Sequence, residues 1–168
     1  MNIRVLNPTD DVAAITDMLH RVYAPLAARG LNYTASYQSP EVTAQRLCTG
    51  YPIVAECDGS IVGTLTVYRP DSNSSFALYR EPHTYSFGQF AVDPRFKGRG
   101  IGRALHRAAI DYAISQGALF LCLDTAAPAE DLVATYARWG YTIVERTTWR
   151  DKSYESVLMR CRIAASMS

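Results

Sequence analysis

One N-terminal segment carries apolar residues at helical spacing, a second opens with helix-start residues, and much of the remaining chain alternates or clusters apolar residues at strand spacing. Val12, Ile15, Met18, Leu19, Val22 and Tyr23 share one helical face. Thr9 is placed to cap that helix, with Asp10 and Asp11 in a first turn where the helix dipole favours negative charge. Ser39-Pro40-Glu41 predicts a second helix, Ser as the cap and Pro at the first helical position. Between them, Arg29 to Tyr37 is polar and aromatic without a clear period and reads as a loop.

Ile3 to Leu6 predicts a short strand, and Pro52–Cys57 and Ser60–Tyr68 flank Asp58-Gly59, a hairpin signal because Gly tolerates the positive φ of tight turns. A polar connection from Arg69 to Thr84 leads into a strand from Tyr85 to Val92. Gly98 to Gly102 opens a helix on which Ile101, Ala104, Leu105, Ala108, Ala109 and Tyr112 line one face, and Gly117 closes it. Ala118 to Leu123 is continuously apolar, the mark of a strand covered on both faces. Pro128 begins another helix, with Leu132, Val133 and Tyr136 on one face and Gly140 at its end; Tyr141–Thr147 and Ser153–Arg162 predict a closing strand pair. No repeat or linker interrupts this order, which predicts one mixed-sheet α/β domain over residues 1–168.

Composition narrows the partners. Lys and Arg total 17 against 16 acids, a net charge of +1, too balanced for a general nucleic-acid binder, whose affinity comes from an excess of basic residues. The longest uncharged stretch, between Asp111 and Asp124, holds 12 residues. That is short of the roughly 18 that a membrane span needs, so neither a nucleic-acid nor a membrane partner is expected. Met1 to Pro8 lacks the basic, apolar and small-residue succession of a signal peptide. Cys48, Cys57, Cys122 and Cys161 form no CxxC pair, and the histidines show no zinc spacing, so a reduced, cytoplasmic chain without a metal is expected.

The chemistry concentrates in Val92-Asp93-Pro94-Arg95-Phe96-Lys97-Gly98-Arg99-Gly100-Ile101-Gly102-Arg103, which runs strand, turn, helix start. Such a turn offers unpaired backbone N–H groups at the positive end of a helix dipole and predicts a phosphate site. Arg95, Lys97, Arg99 and Arg103, with Arg107 one helical turn on, make this region basic in a chain that is otherwise balanced. No GxxxxGK[ST] occurs, and GxGxxG fails because its last position falls on Arg103 or Leu105.

Phe90-Ala91-Val92-Asp93-Pro94 followed by Lys97-Gly98-Arg99-Gly100-Ile101-Gly102 resembles the central motif of the GNAT N-acetyltransferase superfamily, with Lys97 where Arg or Gln is usual. Tyr136, followed by Gly140-Tyr141, matches a second family feature; Ala129 stands where relatives often carry Asn. The resemblance covers nearly the whole chain. It implies a single α/β domain with a mixed, mostly antiparallel sheet of about seven strands flanked by about four helices.

It also implies acetyl-CoA as acyl donor. The main chain of Lys97, Gly98, Arg99, Gly100, Ile101, Gly102 and Arg103 would hold its pyrophosphate, and Phe90, Ala91 and Val92 its pantetheine arm. Tyr136 would protonate the leaving thiolate, as a phenol of pKa about 10 is neutral at pH 7. Gln89 stands where many relatives have a glutamate base, leaving Glu56, Glu81, His83 and Asp93 as candidates. His83 is preferred because an unperturbed pKa of about 6.5 suits a base and because it lies near the start of the central strand. Tyr33, Tyr37, Tyr79 and Tyr154 are candidate walls of an acceptor pocket. The expected acceptor is a small-molecule primary amine; a protein amine, or a catalytically silent acyl-CoA-binding module, is the alternative. A homodimer is left open.

Overall fold

The computed structural model describes residues 1–164. The strands are β1 (Asn2–Val5), β2 (Tyr51–Cys57), β3 (Ser60–Tyr68), β4 (Thr84–Val92), β5 (Phe120–Ala126), β6 (Thr142–Thr147) and β7 (Ser156–Arg162). The helices are α1 (Val12–Ala28), α2 (Pro40–Cys48), α3 (Ala77–Arg80), α4 (Ile101–Ser115) and α5 (Glu130–Arg138), and 3-10 turns occupy Thr34–Ser36 and Pro94–Phe96. One sheet has the order β1-β2-β3-β4-β5-β7-β6. All its pairings are antiparallel except β4 with β5, the pair that α4 connects as a crossover. This is the expected α/β sheet, with four longer helices and the single-turn α3.

The sheet's two faces are covered differently. On one, Ile101, Leu105, Ala109 and Ala113 of α4 and Tyr136 of α5 pack with Leu65, Phe87, Leu121, Leu123, Val157 and Met159. On the other, Ile15, Met18 and Leu19 of α1 meet Leu47 of α2 and Ala91 of β4. Cys122, also on β5, packs with Leu78 of α3 and with Leu158.

Several boundaries move for local reasons. Asp11, not Thr9, caps α1 by accepting from the Ala14 amide, because Arg4 holds Asp10 at 2.7 Å. Ser39 caps α2 as expected, accepting from the Val42 amide. The polar connection contains α3, anchored by buried Leu78, and α5 begins at Glu130 rather than Pro128. Strand β7 begins at Ser156 rather than Ser153, since the Ser153 hydroxyl donates to the Gly30 carbonyl at 2.7 Å and ties the final hairpin to the end of α1.

Two backbone features shape the middle of the sheet. The β3–β4 register shifts between Thr64 and Thr66, and opposite that shift Gln89 adopts φ +51, a left-handed conformation that costs a non-glycine residue energy. Strand β4 is paired with β5 only through Thr84, Tyr85 and Ser86. Beyond Ser86 the two strands part, and no strand among the described residues covers that edge of β4. Beside the bulge, Gly63 lets α4 lie close on the sheet. A Cβ there would come within 3.0 Å of Leu105 and 3.1 Å of the Ala91 carbonyl.

His106 of α4 is buried and shares a 2.8 Å hydrogen bond with the Tyr141 hydroxyl, with the Trp139 ring tilted against it at a centroid distance of 4.6 Å. Burial, helped by the Arg103 charge, pushes its imidazolium down to about 4 from 6.5. The unfolded chain therefore binds a proton first as pH falls, and stability is lost between pH 6.5 and 4, by up to about 3 kcal/mol. Urea titrations across this range should show the loss in the wild type and a flatter profile in His106→Gln, which keeps a polar partner for Tyr141. An equally steep profile in the variant would show that His106 is not the group responsible.

Candidate active site

Asp93 sets the glycine turn. It is buried at 2% exposure, accepts from the Arg95 amide at 3.0 Å, and pairs with the Arg95 and Arg21 guanidinium groups at 2.8 and 3.2 Å. These bonds, Arg95 first, hold its carboxyl well below the usual range. The 3-10 turn after it delivers Gly98 and Gly100 at φ +77 and +76, with Gly100 as the N-cap of α4. The amides of residues 98–103 donate to no acceptor among the described residues. Lys97, Arg99 and Arg103 are exposed around them, whereas the Ile101 side chain is core. The turn could hold a diphosphate on its main chain, with side chains adding charge.

From Lys97 an apolar groove of about 300 Å3 runs between α1, the open edge of β4 and α5, walled by Val22, Leu26, Phe90, Ala91, Val92 and Leu132. A second cavity of about 130 Å3 lies across the same strand, toward β5 and the α1–α2 loop. Tyr23, Phe90, Leu132 and Tyr136 line both spaces. A larger polar concavity of about 510 Å3 over Arg69, Asp71 and Ser86 contains neither the glycine turn nor Tyr136. The groove, the turn and the second cavity together form the candidate site.

Tyr136 is buried against Phe87, Trp139 and Tyr141. Its hydroxyl bonds to no described residue, and burial holds it in the neutral form well beyond the ordinary phenol range. Across the cavity, Asp124 of β5 accepts from the Tyr79 hydroxyl at 2.8 Å; the buried Trp149 indole N–H is nearby but outside bonding geometry. Its carboxylate opens to the cavity while protein crowds around it. The resulting desolvation raises its pKa above the ordinary value, opposed by the Tyr79 bond and the charges of Arg46 and Lys152.

The preferred base of the sequence reading lies elsewhere. His83 is exposed just before β4, at the end remote from Phe90, with Nδ1 3.3 Å from the Gly117 carbonyl. Glu56 is bound to Arg4 and Glu81 to Thr84 and Arg160, and Asp93 is locked as described. Of the four tyrosines, Tyr33 and Tyr154 line the cavity with ring centroids 5.3 Å apart. Tyr79 reaches it through Asp124, and Tyr37 stands outside, 56% exposed, with the Lys152 ammonium over its ring. The Tyr33 hydroxyl accepts from the Ala126 amide and bonds Thr125, so it ties the α1–α2 loop to β5.

The model of the acetyltransferase (GNAT) family matches residues 18–141, most of the chain. The chain belongs to the GNAT family of acetyl-CoA-dependent N-acetyltransferases. Among solved structures it is similar to a GNAT acetyltransferase from Elizabethkingia anophelis with acetyl-CoA bound: 17% identity, 96% of this chain and 97% of that one, TM-score 0.69. It is similar to a ribosomal-protein alanine N-acetyltransferase from Escherichia coli, at 18% identity, coverages of 99% and 96% and TM-score 0.73. An aminoglycoside 6'-acetyltransferase type Ii gives 15% identity, coverages of 99% and 100% and TM-score 0.73. At these identities the likeness is one of fold. Among curated protein sequences there is no significant match.

In this GNAT chain no helix of the described residues is long and apolar enough to cross a membrane, and no cluster of three or more His, Cys, Asp or Glu among them could hold a metal. Ala129, where relatives often carry Asn, is fully buried with Leu31, Ala126 and Tyr154. Sequence reasoning missed Asp124, Arg46, Tyr23 and Lys152. The one available signal was Asp124, a charge ending the apolar run of a covered strand.

Because Gly100 needs its positive φ, Gly100→Ala should cost about 1–2 kcal/mol in a urea titration. Calorimetry should show acetyl-CoA affinity falling at least as steeply. Unchanged affinity would mean that this turn does not hold the cofactor.

Proposed function

We propose that this GNAT protein transfers the acetyl group of acetyl-CoA directly to the primary amine of a small molecule, with Asp124 as general base and Tyr136 as general acid. The observation that carries the reading is the meeting of groove and cavity at Phe90 and Tyr136, with Asp124 on the far wall. The cofactor fits the residues present: open amides and exposed cations at the turn for its diphosphate, then an apolar groove beside an unpaired strand edge for its arm. A cavity of about 130 Å3 is well below the roughly 300–1,000 Å3 of sites for drug-sized ligands, which favours a small acceptor.

Acetyl-CoA supplies a thioester, whose C–S bond breaks as the N–C bond of the amide forms. Asp124 takes the proton that the ammonium must lose before attack, a transfer helped by its raised affinity for protons. Main-chain N–H groups on the open edge of β4, near Phe90 and Ala91, donate toward the carbonyl oxygen as charge develops there. Tyr136 gives its proton to the departing sulfur and takes up the second proton that the nitrogen sheds as the amide forms; its hydroxyl has no competing partner among the described residues.

Thiol release measured over a panel of amines tests both roles. Tyr136→Phe should lower kcat on the order of 100-fold while leaving the acetyl-CoA KM within about twofold. Asp124 accepts a proton only when charged, so wild-type turnover should rise with pH on a limb above the ordinary carboxylate range of roughly 4. Asp124→Asn should lose that limb and drop kcat by about 10²–10⁴. Acetyl-CoA binding without thiol release from any amine would instead favour a silent binding module, and full activity in either variant would reassign its role.

A further inference from the structure

The acceptor cavity carries opposite charges on different walls. Asp124 lies on the β5 side. Arg46, half-buried on α2, lines the same cavity, and no carboxylate among the described residues pairs with it. Its partners on the chain are neutral. Nη1 donates to Gln38 Oε1 at 2.7 Å, and the Gln89 amide packs against Gln38 and the guanidinium whichever way it is turned. Gln38 and Gln89 are both buried, and Gln38 is held by Thr43 at 2.7 Å, which is bonded in turn to Thr16 at 2.8 Å. This network fixes the guanidinium at the cavity without neutralising it.

Lys152 adds a second positive charge from the final hairpin. Its side chain is 10% exposed, and its ammonium donates to the Asn32 carbonyl at 3.1 Å and the Thr34 hydroxyl at 2.8 Å. Asp151 approaches it at 3.3 Å but is itself 66% exposed, where an ion pair is well screened. Lys152 therefore contributes field more than a free donor, and Arg46, met on the chain by the uncharged amides of Gln38 and Gln89, is the cavity cation whose charge an acceptor carboxylate would answer. Gln89, the strand side chain against the guanidinium, is an amide and carries no charge, so Arg46 needs its anion from elsewhere.

Resting on the acetyltransferase reading above, we infer that the acceptor is a zwitterion: a free amino acid or a molecule of that chemistry, its carboxylate taken by Arg46 and its amine set between Asp124 and Tyr136. The arrangement discriminates in both directions. A plain amine leaves Arg46 uncompensated beside a second cation, and an acid entering the wrong way round meets Asp124. Tyr23, Tyr33 and Tyr154 form a continuous aromatic wall, with Tyr33 5.3 Å from each of the others, which suits an apolar or aromatic side chain.

The test uses the full chain with acetyl-CoA and a panel of amino acids, each matched with its decarboxylated amine and its methyl ester. Thiol release gives turnover, and calorimetry in the presence of coenzyme A gives binding independently of turnover. At least one amino acid should exceed its amine and its ester tenfold or more in kcat/KM and in affinity. Arg46→Gln should raise the amino-acid KM about tenfold, change kcat less, and erase the preference; Arg46→Lys should restore part of it, which a merely structural role would not predict. Equal or better use of the amine or ester by the wild type, or equal losses on all three in Arg46→Gln, would overturn the inference. Selective binding of amino acids without any thiol release would instead contradict the transfer reaction and leave the recognition standing.

Discussion

The parting of β4 from β5 beyond Ser86 is the constraint on which the rest of the molecule depends. A parallel pair that stayed closed would satisfy every backbone group and leave no room between the helices. The chain prevents closure with a bulge that sets Gln89 and Phe90 of β4 against one residue of β3 and holds Gln89 at positive φ, where β4 bends away from the ladder. The cost of that strain is offset by neighbours that fix it on both sides. The Tyr23 hydroxyl donates to the Phe90 carbonyl at 2.9 Å, and the buried amide network of Gln38, Thr43 and Gln89 holds the side chain. A groove on one side of the strand and a cavity on the other follow from this one opening.

The two halves of the opening are built from different materials because they face different tasks. The cofactor side is main chain and apolar wall: free amides, a helix dipole and the side chains of Val22, Leu26 and Val92. It uses glycine and packing, and the proposed backbone recognition leaves room for Lys97 where Arg or Gln is usual. The acceptor side is side-chain chemistry, with Asp124, Arg46, Lys152 and the tyrosines converging from β5, α2, the final hairpin and α1. It is this side that would differ among proteins of one fold.

That division explains what could be read from the chain alone. The sheet, its strand order in sequence and the glycine turn were legible because each is a local pattern: alternation, a hairpin dipeptide, glycines at a strand-to-helix junction; spacing from the next turn likewise marked Tyr136 as a candidate. The acceptor side was not. Asp124, Arg46 and Lys152 are far apart in sequence and meet only through the tertiary fold. Glu56, Glu81 and Asp93 looked as free as Asp124 until the structure supplied their arginine or threonine partners. The choice of His83 rested on pKa and on nearness to the central strand. Nearness in sequence to a strand does not say which end of it is meant, and His83 stands at the other one. Thr9 failed as a cap because Asp10 is taken up by Arg4 and by the Asn7 amide, and the first turn of α1 starts after Asp11.

The central claim is that the opened strand and the turn beyond it form one continuous cofactor surface. Residue-resolved amide hydrogen exchange by NMR, with and without saturating acetyl-CoA, tests it most directly. Protection should rise together at residues 98–103 and along the uncovered edge of β4 from Phe87 to Val92, with the edge strand β6 unchanged. Protection confined to the turn, or exchange along β4 untouched by the cofactor, would contradict the account.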